Sequence, residues 1–225
     1  MTQRRALLSW SSGKDSAWTL YQLQRDPEVE LVGLLTTFNQ QSDRVAMHAV
    51  RRQLVELQAH AADLPLFPVD LPWPCSNDDY EAALSASLAE ILGQTAFDTV
   101  AFGDLFLEDI RAYRETQLNK WGYTAEFPIW GEPTAALGAT MIAAGLNAVL
   151  TCVDPKQCPA NVAGRRYDAK LLAELPESVD RCGENGEFHT FVTHGPMFQG
   201  TVDVGVGETV ERDGFIFTDI RANST

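Results

Sequence analysis

Strands and helices alternate along the first two thirds of this 225-residue chain, and that alternation constrains the fold more than any other feature of the sequence. Short apolar runs that predict strands occur at residues 5–10, 31–37, 66–70, 99–102 and 148–153. Amphipathic stretches with capping residues before them predict helices at residues 16–24, 43–62, 77–92, 109–121 and 133–144. Because such alternation is typical of a parallel sheet covered by helices, we predict an α/β, Rossmann-like domain.

The last third of the chain has a different character. Residues 160–167 are polar and irregular, and short alternating runs follow at residues 188–193, 202–206 and 215–220. The Asp-Gly pair at 213–214 is favourable for a tight turn before the last run. We therefore predict one domain over residues 1–155 and a smaller C-terminal α+β unit over residues 156–225, with no Pro-rich or Ser-rich linker between them.

The composition disfavours a nucleic-acid partner. Acidic residues outnumber basic residues by 31 to 17, which gives a formal charge of -14 and leaves little basic surface for a phosphate backbone. An anionic ligand would therefore need a local cluster of donors, together with a divalent cation that offsets the surrounding charge.

The cysteines and the hydropathy pattern predict a cytoplasmic protein. The four cysteines lie far apart and form no C-x-x-C pair, which fits free thiols in a reducing compartment. No basic-then-apolar leader opens the chain, and no apolar run approaches the length of about 20 residues that a membrane-spanning helix needs. We therefore expect no membrane partner.

A run of small and polar residues connects the first predicted strand to the first predicted helix. Its members are Ser11, Ser12, Gly13, Lys14, Asp15 and Ser16. Small residues allow backbone N–H groups to approach an oxyanion, and a helix start adds unpaired N–H donors. The run is not a Walker A motif, which requires glycine at the position of Leu8 and Ser or Thr at that of Asp15. It suits either a phosphate loop or a capped helix start that binds no ligand.

A second unusual segment lies near the other end of the chain and combines two carboxylates, an amide, an imidazole and two glycines. It consists of Gly183, Glu184, Asn185, Gly186, Glu187, Phe188, His189 and Thr190. As a reactive site, Glu184 and Glu187 could hold a metal or orient a substrate amine, and His189 could transfer a proton near neutral pH. As plain structure, the segment is a turn that leads into a strand. The residues alone leave both interpretations open.

The first run resembles the S-G-G-x-D-S pyrophosphate loop of the N-type ATP pyrophosphatases, with Ser12 in place of the second glycine. Together, the two segments resemble the diphthine-ammonia ligase family, in which a pyrophosphate loop is joined to a C-terminal G-E-G-G-E-Y-E-T-like segment. In this chain, Asn185 stands in place of a glycine, Phe188 in place of the tyrosine and His189 in place of the second glutamate. The histidine suggests the bacterial-type branch of the family. The resemblance covers nearly the whole chain.

This resemblance implies an N-type ATP pyrophosphatase (HUP-like) fold for the first domain, with ATP and Mg²⁺ as cofactors, and a substrate-binding role for the smaller unit. It implies an AMP-forming ligase that adenylates a small-molecule or protein-borne carboxylate and couples it to ammonia or an amine. A nucleotide α-hydrolase and a nucleotide-sensing protein without turnover are the alternatives, and a homodimer is an open expectation.

The site residues that the resemblance implies fall into three groups. Those expected to bind ATP are Ser9, Ser11, Ser12, Gly13, Lys14, Asp15, Ser16, Thr36, Gly103 and Asp104, with Asp15 also contacting the metal. Those expected to take part in catalysis are Lys14, Asp15, Glu184, Glu187 and His189. Those expected to bind the second substrate are Glu184, Asn185, Gly186, Glu187, His189 and Thr190. Arg44 and His48 are weaker candidates, since His48 fits equally well as an ordinary residue on a helix surface.

Overall fold

A computed structural model describes residues 3–45 and 48–223, which form two β-sheets. The first sheet contains β1 (Arg4–Ser9), β2 (Val29–Asn39), β3 (Arg44–Val45), β4 (Leu66–Leu71), β5 (Thr99–Ala101) and β6 (Thr124–Glu126). Five of these strands run parallel in the order β4-β2-β1-β5-β6, and the short β3 pairs antiparallel with the end of β2. The α/β fold predicted from the alternation is therefore confirmed.

Helices connect the strands. In the described residues they are α1 (Lys14–Arg25), α2 (Arg52–Ala61), α3 (Asn77–Gln94), α4 (Glu108–Lys120), α5 (Thr134–Ala143) and α6 (Ala169–Glu174). The predictions for α1, α3, α4 and α5 are confirmed with ends shifted by at most two residues. The start of α3 shows the local cause, because Ser76 accepts a hydrogen bond from the Asp79 N–H while its own N–H donates to the Asp79 carboxylate.

The helix predicted over residues 43–62 is wrong in its first half. Residues 44–45 form β3, and α2 begins only at Arg52. Asp43 and Ala49 have φ angles of 52° and 55°, in the left-handed region, which is incompatible with a right-handed helix. Ala46 and Met47, which also belong to the predicted helix, lie outside the described residues.

The second sheet is antiparallel. Its strands are β7 (Asn147–Val153), β8 (Phe188–His194), β9 (Val204–Arg212) and β10 (Phe215–Ala222), arranged in the order β8-β7-β10-β9. The strand predicted at 148–153 therefore exists, but its assignment to the parallel sheet is wrong, since it pairs with β8 and β10. The sequence reasoning missed β6, a three-residue strand without buried side chains, which takes the edge position. The division at residue 155 stays a prediction.

The turn between β9 and β10 is confirmed at Asp213 and Gly214, whose φ angles are 51° and 83°. Positive φ at both central residues matches the right-handed twist of the two strands that the turn joins.

Two apolar clusters cover the two faces of the first sheet. Alternate residues of β1 enter different clusters, with Leu7 in one and Ala6 and Leu8 in the other. The smaller cluster packs under α3 and α4, whereas the larger one continues through α1 and α2 into the second sheet. The carboxyl end of β1 therefore lies at the junction of the two sheets. Among the described residues, no helix is long and apolar enough to cross a membrane.

Candidate functional site

The loop after β1 has an unusual backbone at Ser12. Its φ angle is 72°, in the left-handed region that favours glycine, and the residue is fully buried. The Ser12 carbonyl accepts hydrogen bonds from the Val192 N–H and from the Gln58 side-chain amide, each at 3.0 Å. These two bonds from distant elements hold a conformation that is costly for a residue with a Cβ atom. The serine thus adopts the backbone form of the glycine it replaces.

The hydroxyl groups of the loop form a small network at the start of α1. The Ser16 hydroxyl lies 3.1 Å from the Ser11 hydroxyl and donates to the Gly13 carbonyl at 3.0 Å. The Gly13 N–H points to the Ser11 hydroxyl at 3.4 Å. The loop therefore closes on itself and keeps its serine side chains next to the unpaired N–H groups of the first helical turn.

Lys14 is turned into the protein and is only 2% exposed. Its ammonium donates to the Asp15 carboxylate at 2.8 Å and to the Cys182 carbonyl, and it lies 5.6 Å and 5.5 Å from the ring centres of Tyr167 and Phe188. Burial opposes the charge, but Asp15 and the other partners raise the pKa of Lys14 overall. The ammonium is thus charged and held by protein groups, and its contact with a phosphate stays a prediction.

The two segments singled out in the sequence lie in direct contact. The backbone N–H of Lys14 donates to the Thr190 hydroxyl at 3.0 Å, and the Val192 N–H bonds to the loop at Ser12. The Glu184 carboxylate accepts from the Leu105 N–H at 2.7 Å, which ties the second segment to the loop after β5. The structure thus brings the ends of β1 and β5 together with the segment before β8.

Gly103 allows this close approach on the other side of the loop. A methyl group added to Gly103 would lie 2.9 Å from the Asp15 carbonyl carbon and from the Ser16 nitrogen. The next residue, Asp104, forms an ion pair with Arg114 of α4, with 3.0 Å between Oδ2 and Nε. Asp104 therefore lies beside the loop as expected, with its carboxylate directed to a protein partner.

The Glu187 carboxylate holds the turn of the second segment by accepting hydrogen bonds from it. It is 2% exposed, and its carboxylate accepts from the Asp180 N–H and from both the backbone and side-chain N–H groups of Asn185, at 2.9 to 3.0 Å. Gly183 and Gly186 adopt φ angles of 70° and 83° that complete the tight turn. These contacts engage both oxygens of Glu187, whereas the predicted metal or substrate role of this residue stays a prediction.

The carboxyl groups of Asp15 and Glu184 are both harder to ionise than usual. Burial raises the pKa of Glu184 to about 7, with Asp15 and Asp104 adding to the rise and the Leu105 N–H opposing it. Burial also raises the pKa of Asp15, although the neighbouring Lys14 ammonium lowers it. At neutral pH, Glu184 is therefore available in both protonation states.

His48 and His189 form a tilted ring pair beside the loop, with 35° between the ring planes. Their ring centres are 4.5 Å apart, and Nδ1 of His48 lies 3.4 Å from the Thr190 carbonyl. Burial is the main cause of a lowered pKa in both, to about 4 for His189, with Lys14 lowering both further and His189 lowering that of His48. Both imidazoles are thus neutral near pH 7. His48 lies outside any helix, so the alternative of an ordinary residue on a helix surface is wrong, whereas its role at the site stays a prediction.

A cavity of about 260 Å³ opens at the carboxyl ends of β1, β2 and β5. Its polar or titratable lining residues are Ser9, Ser11, Thr37, His48, Tyr80, Arg114 and His189. Thr37 lines it, whereas the neighbouring Thr36 faces away and donates to the Trp10 carbonyl at 2.8 Å. The alternation of side chains along a strand could have predicted that Thr37 lines the cavity, since Leu35 and Thr37 lie on the same face of β2.

Sequence reasoning missed Tyr80 as part of the site and Gln58 as its support. Tyr80 lies on α3, four and eight residues before the two leucines that also line the cavity, so the sequence marks it only as one more partly buried helix residue. Gln58 is fully buried on α2, and its amide bonds reach Trp10, Ser12 and Val192. No local pattern predicts such contacts, because all three partners are distant in sequence.

The fold defines a Rossmann-like α/β protein with a mostly parallel sheet and a smaller antiparallel one. Residues 4–123 match the family model described as the diphthamide synthase N-terminal domain, and residues 134–223 match that of the diphthamide synthase C-terminal domain. The chain therefore belongs to the diphthamide synthase family, which confirms the family resemblance of its sequence. It is 26% identical over 223 residues to a diphthine–ammonia ligase of Danio rerio, in an alignment that covers 89% of this chain and 86% of the relative.

Proposed function

We propose that this chain is an ATP-dependent ligase that binds the polyphosphate of ATP on the Ser11–Ser16 loop, releases AMP and pyrophosphate, and joins a carboxylate to ammonia or an amine. The proposal rests on the contact between the two segments, above all the hydrogen bond from the Lys14 N–H to Thr190. Membership of the diphthamide synthase family and the similarity to a diphthine–ammonia ligase support the same class of reaction.

Two unpartnered buried oxygens fit a phosphate-binding loop. Five buried side-chain atoms of the described residues have no hydrogen-bond partner, and two of them, Ser12 Oγ and Asp15 Oδ1, belong to this loop. Buried polar atoms without partners are costly, so such atoms in this loop are consistent with groups that a ligand satisfies. Ser12 would donate to a phosphate oxygen, whereas the Asp15 carboxylate would face a cation.

A magnesium ion fits this site only together with phosphate oxygens. Within residues 3–45 and 48–223, no group of three or more His, Cys, Asp or Glu side chains could hold a metal ion by itself. Asp15 would supply a protein ligand, and the ion would offset the negative charge of the polyphosphate.

The residues of the chain would then act as follows. The loop N–H groups and the positive end of α1 would stabilise the leaving pyrophosphate. Glu184, with a pKa of about 7, would accept a proton from the attacking amine. The cavity at the strand ends would hold the adenosine part, in which Thr37 takes the place that Thr36 was predicted to have.

The test measures the products that the protein forms from ATP in the presence of ammonium and a carboxylate acceptor. We expect AMP and pyrophosphate in equal amounts, and exchange of labelled pyrophosphate into ATP that depends on the acceptor. Formation of ADP and phosphate would contradict the proposal. AMP formation that needs no acceptor would favour a nucleotide α-hydrolase, and binding without turnover under all acceptors would favour a nucleotide-sensing protein.

Asp15→Asn gives a variant with a matched control. Asp15 and Asp109 are both the second residue of a helix, α1 and α4 respectively, so both substitutions remove the same charge from the same helical position. We expect Asp15→Asn to slow AMP formation by about 100-fold, the typical loss of one electrostatic contact to the transition state, and Asp109→Asn to leave it unchanged. Equal rates in the two variants would exclude Asp15 from the reaction.

A further inference from the structure

The buried position of Lys14 leaves the phosphate loop without a free cation. Its ammonium is 2% exposed and is held by Asp15 and the Cys182 carbonyl. The other permanent cation at the cavity, Arg114, is paired with Asp104. Among the residues that line the cavity, only the two imidazoles can add a positive charge by taking up a proton.

The imidazole pair lies where such a charge would act on a bound polyphosphate. A methyl group added to Gly13 would lie 3.0 Å from Cε1 of His48, so this ring packs directly on the loop. His189 contacts His48 in a tilted arrangement, with 4.5 Å between the ring centres, and both line the same cavity as Ser9 and Ser11. An anion that contacts the loop serines therefore also lies beside the rings.

From this geometry, and resting on the proposed function, we propose that the His48–His189 pair takes up one proton when the polyphosphate of ATP binds and thereby adds a cation of the protein itself to the phosphate site. The proton comes from solvent and is bound by a ring nitrogen, and no other bond changes. Nδ1 of His48 faces the Thr190 carbonyl, which only accepts hydrogen bonds, so the free Nε2 of His48 or a nitrogen of His189 receives the proton.

The electrostatics around the pair supports this proton uptake. Without ligand, burial and the Lys14 charge hold the pKa of both imidazoles below the usual value, so the empty pair is neutral. The other charged or titratable groups at the cavity are Tyr80 of α3 and Arg114 of α4, which is paired with Asp104. Cys152 of β7 pairs in register with His189, and Asp15 and Glu184 lie beside Lys14. A polyphosphate adds several negative charges, and one opposite charge at close range raises a pKa by about 1–3 units.

Calorimetry tests the proposal on the full chain. The α,β-methylene analogue of ATP is titrated with Mg²⁺ at about pH 6 into the protein, in buffers with different ionisation enthalpies. The slope of the observed enthalpy against the buffer enthalpy gives the number of protons taken up, which we expect to be about 0.3–1 per bound nucleotide. Because protons are taken up, the affinity should rise as the pH falls from about 8 to about 6, by at most about tenfold per pH unit.

Three variants assign the proton to the pair. His48→Gln and His189→Gln should each abolish the uptake or reduce it at least about twofold, since the two rings share one proton. His60→Gln removes an exposed imidazole of α2 that does not line the cavity, and it should leave the uptake unchanged. Nucleotide binding without proton uptake, or with an uptake that persists in both pair variants, would overturn the inference and leave the proposed function intact. Failure of the wild-type protein to bind nucleotide would instead overturn the proposed function.

A measurement on the wild-type protein covers the case in which a variant does not fold. The ring nitrogens of the four histidines are followed by NMR across a pH titration, with and without the ATP analogue. We expect two histidines to titrate at least about one unit higher in the complex. Four unchanged titration curves in a protein saturated with nucleotide would rule the inference out.

Discussion

At the scale of single residues, the site depends on positions where the backbone is tightly packed or strained. Gly103 contacts the first turn of α1 so closely that a Cβ atom would come within 2.9 Å of Asp15 and Ser16 backbone atoms. Ser12 takes a left-handed backbone that its carbonyl contacts hold in place. Such positions stabilise one geometry of the loop after β1, because the surrounding backbone cannot move independently.

Gly103→Ala should destabilise the protein and displace the loop. The methyl group collides with the backbone of α1, which we expect to lower the free energy of unfolding by about 1–3 kcal/mol and to weaken nucleotide binding. Gly93→Ala is the control, since nothing lies within 4 Å of its added methyl group in α3. That change should raise the free energy of unfolding by about 0.5–1 kcal/mol. Urea denaturation compares the two, and equal stabilities would contradict the close approach.

Glu184 should make the stability of the protein depend on pH. Its pKa is raised from 4.5 to about 7 in the folded state, so between these values the folded protein binds more protons than the unfolded chain. The free energy of unfolding therefore falls as the pH rises from about 5 to about 8. After allowance for solvent screening, we expect a contribution of about 1 kcal/mol, which Glu184→Gln removes.

Urea denaturation of both proteins at the two pH values gives this difference. Glu177→Gln, at an exposed position, should keep the pH dependence of the wild type. If Glu184→Gln also kept it, the carboxyl group would not be the source of the effect.

At the scale of elements, hydrogen bonds to the Asp219 carboxylate connect the segment between β3 and α2 to the second sheet. Asp219 of β10 accepts hydrogen bonds from Arg44, Arg51 and Arg221 at 2.8 to 3.2 Å. Arg44 and Arg51 also bridge to each other through their backbones. Burial opposes ionisation, but the three guanidinium groups lower the pKa of Asp219 far below its usual range. This attachment holds His48, which lies between the two arginines in sequence, over the loop.

Asp219→Asn should loosen that segment. Three guanidinium groups would then lie together without a negative charge, and we expect a loss of about 1–3 kcal/mol in the free energy of unfolding with faster hydrogen exchange at residues 48–51. Glu211→Gln on the neighbouring β9 removes an exposed carboxylate and should change neither quantity. Because the folded pKa of Asp219 is lowered, its contribution is present above the unfolded pKa of about 4 and is lost as the pH falls below it. Unchanged exchange in Asp219→Asn would contradict this attachment.

At the scale of the whole molecule, Gln58 joins three parts of the fold. Its amide oxygen accepts from the Trp10 indole at 3.0 Å, and its amide nitrogen donates to the carbonyls of Ser12 and Val192 at 3.0 Å and 2.7 Å. It thus links α2 to the loop after β1 and to β8 of the second sheet. All of these groups are removed from water, so each needs its partner.

Gln58→Leu should therefore destabilise the protein strongly. It keeps most of the side-chain volume but leaves an indole N–H and a Val192 carbonyl without partners, and we expect a loss of about 2–4 kcal/mol in the free energy of unfolding. Gln53→Leu, at an exposed position of the same helix, should stay within about 0.5 kcal/mol of the wild type. Chemical denaturation distinguishes them, and a loss in Gln58→Leu no greater than in Gln53→Leu would contradict this linking role.

Features that depend on neighbours in the chain were predictable from the sequence. Periodicity predicted the helices at α1, α3, α4 and α5, and an Asp-Gly pair predicted the β9–β10 turn. The loop and the segment at 183–190 predicted the family, because their chemistry lies in consecutive residues.

Three features depend instead on contacts between distant segments: which sheet β7 joins, where the Lys14 ammonium points and which imidazoles meet. The strand pattern of β7 is the same for either sheet, and its partners β8 and β10 lie far along the chain. Lys14 contacts the Cys182 carbonyl across 168 residues, and His48 reaches His189 only because β3 interrupts the predicted helix. Such contacts are set by burial and by hydrogen bonds between distant segments, which no local pattern encodes.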